Sequence, residues 1–287
     1  MTMIRTLRQP FELFDETLDI NATENYDLTI ELSADGLAYS VLDLLRGKFV
    51  MLRHYQASNK SEEGTFSLSD ALWYDDFLKR RYRKVIAITP VPNSTMVPGS
   101  LYDSSVKDIY YRFNRMSDGN EVIMSNSIQT PAANVVFAPD KEIGELISSK
   151  WKEVSPWHHT KPLLQHAFTV DRSSEDGYIH LHIESGFITI VILSNHNLVF
   201  CNSFQCSTPS DICYFLFNIL DKRGVKKIDS LWLSGIIQPY GELHLSLLEF
   251  THAVHFAAPR VKQGFSYVFN DVHLHRYLNL FTAASCE

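Results

Sequence analysis

A chain of 287 residues with 45% hydrophobic, 12% aromatic and 21% charged residues holds enough apolar material for a sizeable core, which excludes a disordered or collagen-like chain. Its 26 basic residues against 33 acidic ones leave a net charge of -7, so no global basic surface favours nucleic acid or an anionic membrane. At about 150 residues per domain, the length accommodates two units or one large one. The four cysteines, Cys201, Cys206, Cys213 and Cys286, include no CxxC pair, and reduced buried thiols are expected in place of a disulfide framework or zinc knuckle. Residues 1–27 hold no continuous apolar run, and no later stretch approaches the length of a membrane-spanning helix. The expected address is the cytoplasm.

The first strong pattern starts at Leu28, where Leu28, Ile30 and Leu32 alternate with Thr29, Glu31 and Ser33 as in a half-buried strand. Asp35-Gly36 signals a tight turn, Leu37 to Leu44 a second strand, Arg46-Gly47-Lys48 another turn and Phe49 to Tyr55 a third strand. Ser67 and Ser69-Asp70 are caps for a helix through Leu72, Trp73, Phe77 and Leu78. The basic run from Lys79 to Lys84 sits where that helix would end and complements its dipole; contact with phosphate or RNA is the less favoured reading in an acidic chain. A strand follows from Val85. Pro90, Pro92 and Pro98 then punctuate a loop, Ser104 to Met116 is expected as a helix, and Glu121 to Ser125 and Asn134 to Ala138 as short strands. This segment, about 92–138, reads as an inserted subdomain. Asp140 caps a helix that carries Ile143, Ile147 and Trp151, and the polar run Asp171 to Gly177 marks a joint between halves 1–172 and 173–287.

From Tyr178 the first pattern recurs. Ile179, Leu181 and Ile183 alternate, Ser185-Gly186 turns, Phe187 to Leu193 returns, Asn195-His196-Asn197 turns again and Leu198 to Phe204 completes a second meander. Ser207 to Asp211 opens a helix with Pro209 in its first turn, Gly224 closes it, and Ile228 to Leu233 is a strand. Both halves read strand-strand-strand-helix-strand. Their inward faces match at an offset of 151 before the glycine and 150 after it, so the second hairpin is expected to be one residue shorter.

This duplicated order resembles the actin-like ATPase fold, the ribonuclease H-like duplication shared by actin, sugar kinases, acetate kinase and heat-shock chaperones. The sequence looks like an uncharacterised bacterial member, a domain of unknown function closest in layout to cell-division and pilus-assembly actin homologues. The resemblance implies an α/β fold of two lobes around a cleft, with the small inserted subdomain in the first lobe. It also implies that ATP and magnesium are possible cofactors, held by a phosphate hairpin in each lobe in which an acid stands two residues before a glycine. Glu184-Ser185-Gly186 has that spacing, with Thr189 nearby, whereas Asp35 directly precedes Gly36. For the nucleoside the resemblance points to Ser234-Gly235, where the family has two glycines; here Ile236 places a branched side chain in the path. Gly241 reads as a helix start. No catalytic residue is assigned, since neither Asp35 nor Asp43 is identifiable as a general base.

Two His-x-His pairs, His180/His182 and His273/His275, have the spacing of strand neighbours that share a face, and His244, His252 and His255 follow nearby in the sequence. Partly exposed strand histidines are the favoured reading over a zinc site, and no metal ligand is assigned. The sequence therefore points to a non-catalytic or degenerate actin-like protein that acts as a binding or scaffold module, engaging a protein partner through the insert. An ATP-dependent phosphotransferase or ATPase using the interlobe cleft is the alternative.

Overall fold

Alternating side chains fold Tyr26–Ser33 (β1), Gly36–Asp43 (β2) and Lys48–Ser58 (β3) into an antiparallel meander in a computed structural model that describes residues 6–58, 66–114, 121–171, 178–225 and 228–286. All eight residues of β2 are buried, so this sheet is covered on both faces. Ser67 and Asp70 form a reciprocal capping box on Leu68–Tyr74 (α1). The helix stops before Phe77 and Leu78, earlier than their spacing suggested. Its terminator is Asp75, whose carboxylate accepts the N–H groups of Phe77 and Leu78 at 2.8 and 2.9 Å and so replaces the next helical turn. The basic run consequently does not sit at a helix end: Lys79 pairs with Asp76 at 2.6 Å, and Arg83 grips Asp27 through two bonds of 2.8 and 2.6 Å.

Lys84–Thr89 (β4) lies parallel to β1, and the short strand Trp157–His158 lies parallel beyond it. The insert follows β4. Ser94–Pro98 (β5) is a strand where the prolines had suggested a loop, and pairs with Ala133–Phe137 (β7), which also pairs with Met124–Ile128 (β6). Pro98 stands at the end of β5, where a missing N–H costs least. Between them lies Lys107–Asn114 (α2), preceded by a 3₁₀ turn over Ser104–Val106; the expected helix end at Met116 falls outside the described residues. Asp140 caps Lys141–Lys150 (α3) as expected, and Thr160–Asp171 (α4) ends the half.

The second half repeats the scheme. Tyr178–Glu184 (β8), Phe187–Ser194 (β9) and Asn197–Gln205 (β10) form the meander, and Thr208 and Asp211 box the start of Pro209–Lys222 (α5). Ile228–Gly235 (β11) lies parallel to β8, and Thr251–Phe256 (β12) parallel to β11, with Glu242–Leu248 (α6) between them. The sheet order is β10-β9-β8-β11-β12, matching β3-β2-β1-β4 and Trp157–His158 in the first half. A shared irregularity strengthens the match: the ladder shifts between Val41 and Leu42 in one meander and between Ile192 and Leu193 in the other, the same offset of 151.

That register corrects the expected hairpin lengths. Ser33 pairs with Gly36 and Glu184 with Phe187, so both first turns span two residues and the offset continues unbroken through them. The difference in length lies in the second turn, where Asp43 pairs with Lys48 but Ser194 with Asn197. Asn195 and His196 adopt φ of 48° and 60°, the geometry of a two-residue turn of the primed type.

The two halves interlock. After β12 the chain returns to the first sheet, where Gly264–Phe265 pairs with β3 and Leu278–Ala283 (α7) packs on β1 and β2. Reciprocally, α4 packs on β8 and β9, and α4 and α7 touch. Phe49, Phe265, Phe269 and Phe281 form the aromatic core under the first sheet, with Phe49 and Phe281 edge to face at 4.9 Å.

Candidate functional site

The crossed helices hold the two first turns on either side of a narrow gap. Glu31 and Ser33 of β1, Asp35 and Gly36 of the turn, His54 of β3, Glu184 of β8, Gly235-Ile236 after β11 and Arg276-Tyr277 before α7 line one cavity. Asp35 is engaged from the opposite end of the chain: Arg276 Nη2 donates to its Oδ2 at 2.7 Å, and His54 Nε2 lies 3.4 Å from the same oxygen. The space remaining is about 20 Å³ on a measure by which a single water takes about 10–15 Å³. Burial, reinforced by Glu184 and Asp35 and opposed by Arg276, pushes the Glu31 carboxyl well above the usual carboxylate range. Burial also holds the His54 imidazole down at about 4, although Asp35 pulls it up. Asp35, Glu184 and Glu31 face a single guanidinium there, so the wall offers polyphosphate no surplus of positive charge.

Behind this wall runs a chain of buried polar groups. Tyr178 Oη meets His180 Nδ1 at 2.9 Å, His180 Nε2 meets Ser234 Oγ at 2.7 Å, Ser234 Oγ meets His182 Nδ1 at 2.7 Å, and His182 Nε2 meets Glu184 Oε1 at 2.9 Å. An ionised carboxylate only accepts, so its end sets the polarity: His182 donates to Glu184, Ser234 donates to His182, His180 donates to Ser234 and Tyr178 donates to His180. Both imidazoles are engaged at both ring nitrogens, Asn279 Nδ2 also lying 3.1 Å from His182 Nε2, and burial holds the His180 ring well below its ordinary value. Ser234, His182 and Glu184 imitate a nucleophile, base and carboxylate, but Ser234 is 0% exposed and its oxygen is shared between two imidazoles, so no substrate reaches it.

The sequence-derived candidates divide accordingly. Asp35, Gly36, Glu184 and Gly235 share the cavity lining, together with Ile236. Gly186 belongs to a neighbouring space of about 260 Å³ between the hairpin tips and Pro90–Pro92. Thr189 and Ser234 are fully buried; Thr189 bonds His159 and Ser203, each at 2.8 Å. The turn register aligns Glu184 with Ser33 and Gly186 with Asp35, so the first hairpin has no acid at the position Glu184 takes. Two glycines have reasons inside the sheets: a Cβ on Gly36 would lie 2.0 Å from the Tyr55 carbonyl oxygen, and one on Gly235 2.0 Å from that of Ile183. Magnesium and ATP therefore do not fit the cavity between the first turns, since Asp35 is paired with Arg276, Glu184 with His182, and about 20 Å³ of space is left there.

The histidine expectation is corrected as well. His180 and His182 are buried, at 0% and 2%, instead of partly exposed, while His273 precedes and His275 lies within a 3₁₀ turn over Leu274–Tyr277 instead of on a strand. His275 donates to the Ile237 carbonyl at 2.9 Å, and His244 accepts the Tyr240 N–H at 3.0 Å. Among the described residues no three His, Cys, Asp or Glu side chains are placed to hold a metal ion. Sequence reasoning missed Glu31, His54 and Arg276; Glu31 shows only as a polar step of an alternating strand, and nothing local marks Arg276.

Residues 15–254 match the family described as protein of unknown function, DUF3822. The chain belongs to the DUF3822 family. Among solved structures, this DUF3822 chain is similar to a protein of Bacteroides thetaiotaomicron with an actin-like ATPase fold and unknown function, at 20% identity and a TM-score of 0.78, over 94% of this chain and 99% of that one. It is also similar to the PilM-PilN type IV pilus biogenesis complex, at 12% identity and a TM-score of 0.57, over 90% and 96% of the two chains. No curated protein matches the sequence. The fold of the DUF3822 chain is thus the actin-like ATPase fold. Among its described residues no helix is long and apolar enough to cross a membrane.

Proposed function

We propose that this DUF3822 protein is a non-catalytic actin-like module of the cytoplasm, with lobes 1–172 and 173–287, that binds a protein partner through the insert at 92–138. The observation that carries this reading is the Arg276–Asp35 ion pair, which occupies the gap that a nucleotide would need. The insert supplies the complementary feature. Leu101, Ile109 and Phe113 are 68%, 64% and 86% exposed, and Ile109 and Phe113 stand one turn apart on α2 as a small apolar face. PilM, of similar fold, is known in a complex with PilN, which supports a partner-binding role.

Thermal unfolding with and without magnesium and ATP tests the reading. A nucleotide at about a hundred times its dissociation constant adds about 2.7 kcal/mol of stability, several degrees for a chain of this size. The expected shift at millimolar nucleotide is below about one degree. A saturable shift of several degrees, abolished by Glu184→Gln, would overturn it.

A further inference from the structure

The two halves differ at the outer side of their third strands. In the first, β3 is covered along its length: Phe11–Phe14 and Thr6–Leu7 pair with it antiparallel and Gly264–Phe265 parallel. Its counterpart β10 is the last strand of the second sheet, and among the described residues none pairs with its outer side. The Cys206 N–H donates to the Gly186 carbonyl at 3.1 Å, and alternation from that pair turns the main-chain groups of Cys201 and Ser203 outward. The Ser203 N–H is met only locally, by the side chain of Asn202 at 3.0 Å. Edges of this length are ordinarily guarded by lysine, proline or an inward charge. The segment Asn197–Gln205 has no charged residue and no proline, and it exposes Asn197, Val199, Asn202 and Gln205.

We propose that β10 is the docking edge for a second copy of this chain, pairing antiparallel about a two-fold axis so that two five-stranded sheets become one. A second copy fits because an uncharged strand meets itself without repulsion. Its exposed amides each carry both a donor and an acceptor, so identical groups satisfy one another across the axis. The outward Ser203 carbonyl of one copy then accepts from the Ser203 N–H of the other, which exchanges its local bond to the Asn202 side chain for one across the axis.

Sedimentation of the full chain at about 100 µM, where a micromolar contact is saturated, tests this directly. The wild type is expected to sediment as a dimer. Val199→Glu with Asn202→Glu, and separately Val199→Lys with Asn202→Lys, are expected to give monomers with unchanged thermal unfolding, because both side chains are exposed. An equimolar mixture of the acidic and basic variants restores the dimer. A monomeric wild type, a dimer that survives both double substitutions, or a mixture that stays monomeric would overturn the proposal.

Discussion

Ser234 shows what a single hydroxyl does in the second lobe. It accepts from His180 and donates to His182, so Ser234→Ala strands two buried ring nitrogens at once. At about 1–3 kcal/mol for each buried group left unpaired, the variant should lose about 2–6 kcal/mol in urea unfolding. A loss below about 0.5 kcal/mol would mean that the chain of bonds is not formed. Arg276 and Asp35 are only 27% and 19% exposed at the side chain, and Arg276→Met leaves Asp35 beside Glu31 and Glu184 without its guanidinium, so it should cost about 1–3 kcal/mol by the same measurement. Its importance is steric and electrostatic, in closing the gap. The His-x-His spacing was visible in the sequence, but its meaning depended on a serine 52 residues away from His182, and spacing alone cannot show that partner.

At the scale of elements, local chemistry was legible and long-range chemistry was not. The two meanders, the Asp140 cap and the opening of α5 follow from alternation and capping residues within a few positions of one another. The end of α1 does not. Asp75 receives Tyr39 at 2.9 Å, Tyr55 at 2.6 Å and Arg53 at 2.6 Å besides the two backbone N–H groups. Burial pushes its carboxyl up, but these bonds prevail and hold it below the ordinary range. Asp75→Ala should therefore destabilise by about 3–5 kcal/mol in denaturant unfolding, since it leaves two buried tyrosines without their acceptor and Arg53 with Glu12 alone. A cost under about 1 kcal/mol would contradict this account of the helix end. The strand Ser94–Pro98 escaped notice because the prolines around it read as a loop, and Trp157–His158 because two residues are too few to show a period.

The whole molecule is held by its crossed halves and by histidines kept neutral. Burial lowers the imidazoles of His158 and His166 to about 3 and His54 to about 4, and those of His159, His180 and His275 also fall. A base with a depressed folded pKa gives the unfolded chain the greater proton uptake, so stability is full above about pH 6.5 and is lost as the pH falls. Glu31, shifted upward, acts in the opposite sense, one group against six. Each histidine that protonates on unfolding removes up to about 1.4 kcal/mol per pH unit, so resistance to urea should fall steadily as the pH drops below about 6.5. Urea midpoints followed by circular dichroism that stay level between about pH 6.5 and pH 4.5 would contradict this. The duplication itself was legible because its two copies repeat the same alternation, whereas the return of α7 to the first sheet left no local trace. That return brings Arg276 beside Asp35, and the proposal that nucleotide does not bind in this cavity rests on it. Equilibrium dialysis of the full chain against labelled ATP with magnesium measures this most directly. The account predicts no saturable binding up to about 1 mM, weaker than about 4 kcal/mol of binding free energy; one equivalent bound per chain at micromolar ATP would contradict it.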